Sequence, residues 1–296
     1  MLVRIRRATR LAAFALIVVT CLVGLSVAAS AAPWKGQIVF ERGGCGDPSQ
    51  CGVFVMNADG SDQTRLGSGT WPAWSPDGSK IAFTDIRDGD DEIYVMNSDG
   101  SGVVQLTQND AEDWDPAWSP DGTHIAFTSM QEGEPEIFVM DASGANQTNL
   151  THSPAFDEMA AWSPDGTRIA FTRGGDIWVM RSDGSEQTPY TNTPALADFG
   201  PDWSPDGSEI AFSSQAPDLE VLVINADGSN LRNLSNSPNT EDRFPTWGPK
   251  GHALAFSSST DLGGNDENVW VMKAKGNEKR TQLTTVPVSW HPDWLT

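Results

Sequence analysis

The chain has 296 residues, with 40 acids against 19 bases and a net charge of −21. That balance argues against nucleic acid or anionic lipid as the main partner, because too few cations are available to neutralise phosphates. Only 38% of residues are hydrophobic, yet 28 Gly, 19 Pro and 12 Trp suit a turn-rich sheet protein rather than a helical globule or a disordered chain.

The chain opens on Arg4, Arg6, Arg7 and Arg10, followed by an uncharged apolar run from Leu11 to Val27 and a series of small residues ending at Ala32. A basic start, an apolar middle and a small-residue end predict an export signal over 1–32, cleaved after Ala31 or Ala32. A retained membrane anchor is the alternative, since the run nearly spans a bilayer. Removing the signal leaves a net charge of −25 and no segment for membrane insertion. It also leaves two cysteines, Cys45 and Cys51, in a Gly- and Pro-containing loop. Outside the cytoplasm that spacing predicts a small disulfide, contributing about 2 kcal/mol. Two thiols alone make a poor zinc site.

The rest of the chain repeats one unit. Trp-Ser-Pro-Asp-Gly begins at Trp74, Trp118, Trp162 and Trp203 and recurs as Trp-Gly-Pro-Lys-Gly at Trp247, with spacings of 44, 44, 41 and 44. A degenerate copy starts at Trp34. After each copy come an Ile-Ala-Phe run such as Ile81–Phe83, an Ile-x-Val-Met run such as Ile93–Met96, an Asp-Gly turn such as Asp99-Gly100 and a Leu-Thr pair such as Leu106-Thr107. Pro-Asp-Gly and Asp-Gly between β-runs are hairpin signals, because Gly accepts positive φ. Four short strands every 40–45 residues is the period of a propeller blade. Residues 33–296 therefore predict an all-β, six-bladed propeller of four-stranded antiparallel blades. The C-terminal Trp290–Trp294 strand has no blade of its own. It is expected to pair beside Ile38–Phe40 and close the ring, which removes the open edges.

The string Trp-Ser-Pro-Asp-Gly-x-x-Ile-Ala-Phe, followed by Ile-x-Val-Met-x-x-Asp-Gly, resembles the PD40 or TolB-type propeller repeat, over essentially all of residues 34–296. The same repeat occurs in the propellers of prolyl-oligopeptidase-like enzymes. The resemblance implies a propeller alone, without the additional N-terminal domain of TolB and without a hydrolase domain. It also implies a scaffold of the cell envelope that touches other proteins.

Aromatics demanded by every unit read as packing between sheets. Function is sought where the units differ. The loops after the Ile-Ala-Phe strands and the connections between units share one face and gather most of the acids there. Asp113, Asp157, Asp198 and Asp242 each lie five residues before their unit's Trp, which predicts a ring near the channel mouth. Glu158 and Arg243 adjoin them, as do aromatics the repeat does not require: Trp71, Trp114, Phe156, Phe199, Phe244 and Trp290. Such a rim could grip a basic or extended peptide. The four aspartates could instead hold Ca²⁺, or each could cap its own connection through backbone N–H groups.

No Gly-x-Ser-x-Gly, phosphate-binding Gly motif or His-Glu-x-x-His is present. The expected function is therefore non-enzymatic: a monomeric, exported, periplasmic or secreted propeller that binds a protein or peptide. The alternative is a metal-dependent propeller enzyme, lactonase- or lyase-like, with its site in the central channel.

Overall fold

The computed structural model describes residues 35–43, 50–87, 89–192, 197–215, 218–260, 266–275, 280–285 and 289–296. The expected signal segment and Cys45 lie outside the described residues, while Cys51 stands immediately before a strand.

Six four-stranded antiparallel sheets follow one another along the chain. The first holds β1 (Gln37–Arg42), β2 (Gly52–Asn57) and β3 (Thr64–Gly67). The second holds β4 (Thr70–Trp74), β5 (Lys80–Asp85), β6 (Glu92–Asn97) and β7 (Val104–Gln105). The third holds β8 (Asp113–Trp118), β9 (His124–Ser129), β10 (Glu136–Asp141) and β11 (Thr148–Asn149). The fourth holds β12 (Asp157–Trp162), β13 (Arg168–Arg173), β14 (Asp176–Arg181) and β15 (Thr188–Pro189). The fifth holds β16 (Asp198–Trp203), β17 (Glu209–Ser214), β18 (Glu220–Asn225) and β19 (Arg232–Asn233). The sixth holds β20 (Glu241–Trp247), β21 (Ala253–Ser259), β22 (Asn268–Lys273) and β23 (Thr281–Gln282). The last strand, β24 (Ser289–Trp294), returns to the first sheet. Strands β24, β4, β8, β12, β16 and β20 contact one another in turn and close a ring around the axis. The structure is the six-bladed propeller that the repeat predicts.

The core lies between blades rather than within them. Ile81, Ala82 and Phe83 are all 0% exposed, because the second strand of a blade is covered on both faces by neighbouring sheets. Val39, Val53 and Val55 of the first blade pack with Trp74, Phe83, Tyr94 and Met96 of the second. Each buried large side chain contributes roughly 1.5–3 kcal/mol.

Turn chemistry fixes the hairpins. Asp77 accepts from the Ser75 and Ser79 hydroxyls and from the Ser79 N–H, while Gly78 takes φ 67°. These hydrogen bonds hold the Asp77 carboxyl down at about 2, and the same bonds place Asp121 at about 2. The Asp-Gly glycine is needed for proximity as well as for φ: a Cβ on Gly100 would stand 2.7 Å from the Leu66 carbonyl oxygen of the preceding blade.

The Leu-Thr pairs fall one step beyond the outer strands where the sequence put them. β7 ends at Gln105, and the Thr107 hydroxyl accepts the Ile93 N–H at 2.8 Å. Thr151, Thr191, Ser235 and Thr284 repeat the contact, so a side chain stands in for a ladder bond.

Closure occurs as expected. Ile38 pairs with Trp294 and Arg42 with Ser289. Trp294 is 2% exposed and donates its indole N–H to the Lys35 carbonyl at 2.9 Å. A chain stopped at Val288 loses this strand and uncovers the β1 edge. The loss of one buried Trp alone costs about 3–5 kcal/mol. Its melting temperature, read by circular dichroism, is expected to fall by about 10 °C or more.

Candidate functional site

The four register aspartates are fully buried at 0% exposure, at the starts of the inner strands. Asp157 receives a bidentate pair from Arg173, Nε to Oδ1 at 2.7 Å and Nη2 to Oδ2 at 2.6 Å. Asp242 is paired with Arg280 and accepts the Ser258 hydroxyl at 2.6 Å. Asp113 accepts from the Asn109 amide at 2.7 Å. The Asp198 N–H donates to the Gly175 carbonyl, tying its connection to the preceding loop. These carboxylates are struts of the connections. Being buried, they do not form a rim that a partner can touch, and the three whose partners are described are engaged beside their own strands rather than facing one Ca²⁺. Among the described residues no group of three His, Cys, Asp or Glu is placed to hold a metal ion.

A second set of buried acids completes the struts. Glu92, Glu136 and Glu220 sit at the starts of third strands, at 0–4% exposure, and accept the Asn109, Ser153 and Ser237 N–H groups. Burial raises the Glu92, Glu136 and Glu220 carboxyls, and repulsion from Asp113, Asp157 and Asp242 adds to it. Many acids that make the face look one-sided in sequence are thus interior.

The channel itself is built by a different register. Three residues before each inner-strand Trp stand Trp71, Asp115, Met159, Gly200, Phe244 and His291, and all six have left-handed φ between 43° and 62°. Each marks a bulge where the inner strand slips against the second strand. Five of the six precede a proline, and four of the six give their own N–H to a neighbouring blade. The hydroxyl after Ile-Ala-Phe in the preceding blade accepts it: Thr84 from Asp115, Thr128 from Met159, Thr172 from Gly200 and Ser213 from Phe244. Five non-Gly residues held at positive φ are strained, and such strain concentrates at functional sites.

All six line a channel of about 520 Å³ that runs past every inner strand. Half of the layer is aromatic: His291 stacks on Trp71 at 3.6 Å and meets Phe244 at 4.3 Å. Phe199 abuts Phe244 edge-on at 5.5 Å. The other half offers Asp115, Met159 and the empty position of Gly200. The His291 Nδ1 lies 2.9 Å from Glu41, itself buried. One pleat deeper the channel presents Ala73, Ala117 and Ala161 on three blades and Asp202, Thr246 and Asp293 on the other three. Asp202 accepts the Trp247 N–H at 2.7 Å, and Asp293 accepts that of Trp74 at 2.6 Å. Burial pushes Asp115 up to about 7, with repulsion from Glu158 adding. Burial likewise carries Asp202 to about 7, its N–H bond only partly offsetting this, and Asp293 to about 6.

Among the residues singled out by sequence, Trp71 enters the channel and Phe199 borders it. Glu158 is half-buried beside Asp115, and burial raises its carboxyl. Trp114 is half-buried on β8, and Phe156 is 56% exposed. Trp290 is half-buried and packs near Gly43. Arg243 is consumed by ion pairs with Glu241 and Glu267. Sequence reasoning passed over Asp115, Met159, His291 and Asp293. The recurring Xaa-Pro pair three residues before Trp was the signal that locates Asp115 and His291; Met159 occupies the same register without the proline, and Asp293 lies one residue before Trp294.

Residues 61–251, more than half of the chain, match the TolB beta propeller domain model (PD40). The Tol-Pal system protein TolB of Syntrophus aciditrophicus (strain SB) is 40% identical over 57 residues, which is 18% of this chain and 13% of that protein. The crystal structure of TolB from Acinetobacter baumannii aligns with TM-score 0.76 and 22% identity, covering 88% of this chain and 66% of its own. An oligogalacturonate lyase in complex with manganese aligns with TM-score 0.54 and 18% identity, covering 86% and 75%. At such identities these structures share the fold alone. No helix among the described residues is long and apolar enough to cross a membrane.

Proposed function

Because the chain belongs to the TolB beta propeller domain family, we propose that it is an exported, non-enzymatic propeller that binds a protein or peptide in the cell envelope through the channel face. Residues 1–32 direct export on this reading, and Cys45 with Cys51 forms a disulfide. The family relation supports an envelope protein-binding role, by analogy with a relative named for the Tol-Pal system. The observation that carries the reading is the mouth itself. Phe199 abuts the channel residue Phe244 and Glu158 lies beside Asp115, while half-buried Trp114 and exposed Phe156 are close to them in sequence, and the bulges hold the channel side chains in strained, fixed positions. Rigid aromatics beside unneutralised acids suit an extended, basic segment.

The test is affinity capture from the native envelope with the mature protein and with Phe156→Ala/Trp114→Ala. A partner recovered by the first and reduced about tenfold or more by the second is expected, as removal of interface anchors costs about 2 kcal/mol each. Equal recovery by both proteins would refute the face as the contact surface.

A further inference from the structure

Among the acids of the channel interior Asp115 is only partly satisfied, although the Met159 N–H helps to stabilise its carboxyl. Asp115 Oδ2 is buried with no hydrogen-bond partner among the described residues, and no cation there is paired with Asp115 or Glu158. Arg243, on the sixth blade, is committed to Glu241 and Glu267. Across the same layer stands the aromatic wall of Trp71, His291 and Phe244. A carboxylate without a paired cation in the same channel layer as an aromatic wall is an arrangement that attracts an organic cation, since carboxylate and π-system both do so.

The deeper layer sharpens the ligand. Gly200 leaves its blade without a side chain at the mouth, on the strand that presents Asp202 two residues further down. Asp202 accepts the Trp247 N–H, Asp293 accepts the Trp74 N–H and the Thr246 hydroxyl at 3.5 Å, and no cation among the described residues is paired with either carboxylate. Two residues of strand separate the layers by about 6–7 Å, which the carbon chain of an unbranched diamine bridges with an ammonium at each end. Beside Asp202 and Asp293 in the deeper layer, Ala73, Ala117 and Ala161 form a smooth wall suited to methylenes. The net charge of −21 draws cations towards such a mouth.

We propose that the channel binds an alkylammonium ion, with the ammonium at Asp115 and Glu158, the aromatic wall beside it and the alkyl chain directed towards Asp202 and Asp293. A free diamine satisfies both ends, whereas a lysine side chain entering from the mouth offers one ammonium while its peptide stays outside. The inference does not depend on the protein partner proposed above, because it is tested with small molecules and through the channel residues Asp115, Trp71, Asp202 and Asp293.

Isothermal titration of the mature protein with pentylamine, cadaverine, 1-pentanol and the tripeptide acetyl-Gly-Lys-Gly-amide tests it. The amines are expected to bind and 1-pentanol is not. Cadaverine should bind more tightly than pentylamine, and Asp202→Asn/Asp293→Asn should erase that difference. Asp115→Asn should weaken both amines about tenfold or more, and Trp71→Leu provides a second variant should the first perturb folding. A tripeptide that outcompetes cadaverine assigns the site to lysine side chains, and the reverse order assigns it to free diamines; both support the proposal. Equal binding of 1-pentanol and pentylamine, or an unchanged amine affinity in folded Asp115→Asn and Trp71→Leu, would overturn it.

Discussion

Replacing Arg173 by Ala is expected to destabilise the propeller by about 3–5 kcal/mol, the cost of leaving a buried charge without its partner. Arg173 closes both oxygens of Asp157, which is 0% exposed, and its guanidinium also covers Phe171 and Trp178 at 5.1 and 4.8 Å. Glu136, 4% exposed, adds a second negative charge beside Asp157. Without the arginine, two carboxylates share a dry connection and one must take up a proton or the connection must open. Thermal melts should show a fall of roughly 10 °C for a protein of this size. Arg173→Ala/Asp157→Asn should recover a large part of it, because the uncompensated charge is gone. A double mutant no better than the single one would mean that packing of the guanidinium, rather than charge, is the larger contribution.

The second large effect is with pH. Asp115, Asp202 and Glu267 are carried to about 7 and Asp293 to about 6, in each case chiefly by burial. Their unfolded values lie near 4, so between about pH 4 and 7 the folded chain binds more protons than the unfolded one. Stability therefore falls as pH rises through that window. Melting temperature should be higher at pH 5.5 than at pH 7.5. Below about pH 4 the sign reverses, because Asp77 and Asp121, held near 2 by their turn hydrogen bonds, lose stabilisation on protonation. Asp202→Asn/Asp293→Asn keeps an acceptor for the Trp247 and Trp74 N–H groups while removing both charges. At pH 7.5 it should stabilise the protein, on the order of 2 kcal/mol, and flatten the rise towards pH 5.5. An identical pH profile in the double mutant would show that these carboxylates do not control it.

Channel acids that raise stability when neutralised are costly to the fold, and such costs are retained most readily at sites of function. The same holds for the bulge layer, where Trp71, Asp115, Met159, Phe244 and His291 all occupy a backbone region that glycine fills more easily. The strain is shared out by the hydroxyls of Thr84, Thr128, Thr172 and Ser213, each accepting an N–H from the next blade. Blades are thereby coupled through the layer that lines the channel.

The sequence by itself determined the number of blades, their four strands, the turn at each Pro-Asp-Gly and the return of Trp290–Trp294 to the first blade. It could do so because a repeat states its hydrophobic period and its turn residues several times over, and local chemistry decides both. It did not determine which acids face outward. Asp113, Asp157, Asp198 and Asp242 share a register, but the register fixes only their place along the strand. Whether a carboxylate at that place meets solvent or Arg173, Arg280 or Asn109 depends on residues 4 to 38 positions away, brought up by the blade's own closure. The channel set was decided the same way. Trp71, Asp115, Phe244 and His291 are neighbours only because six inner strands converge on one axis, and a bulge in each turns its side chain inward.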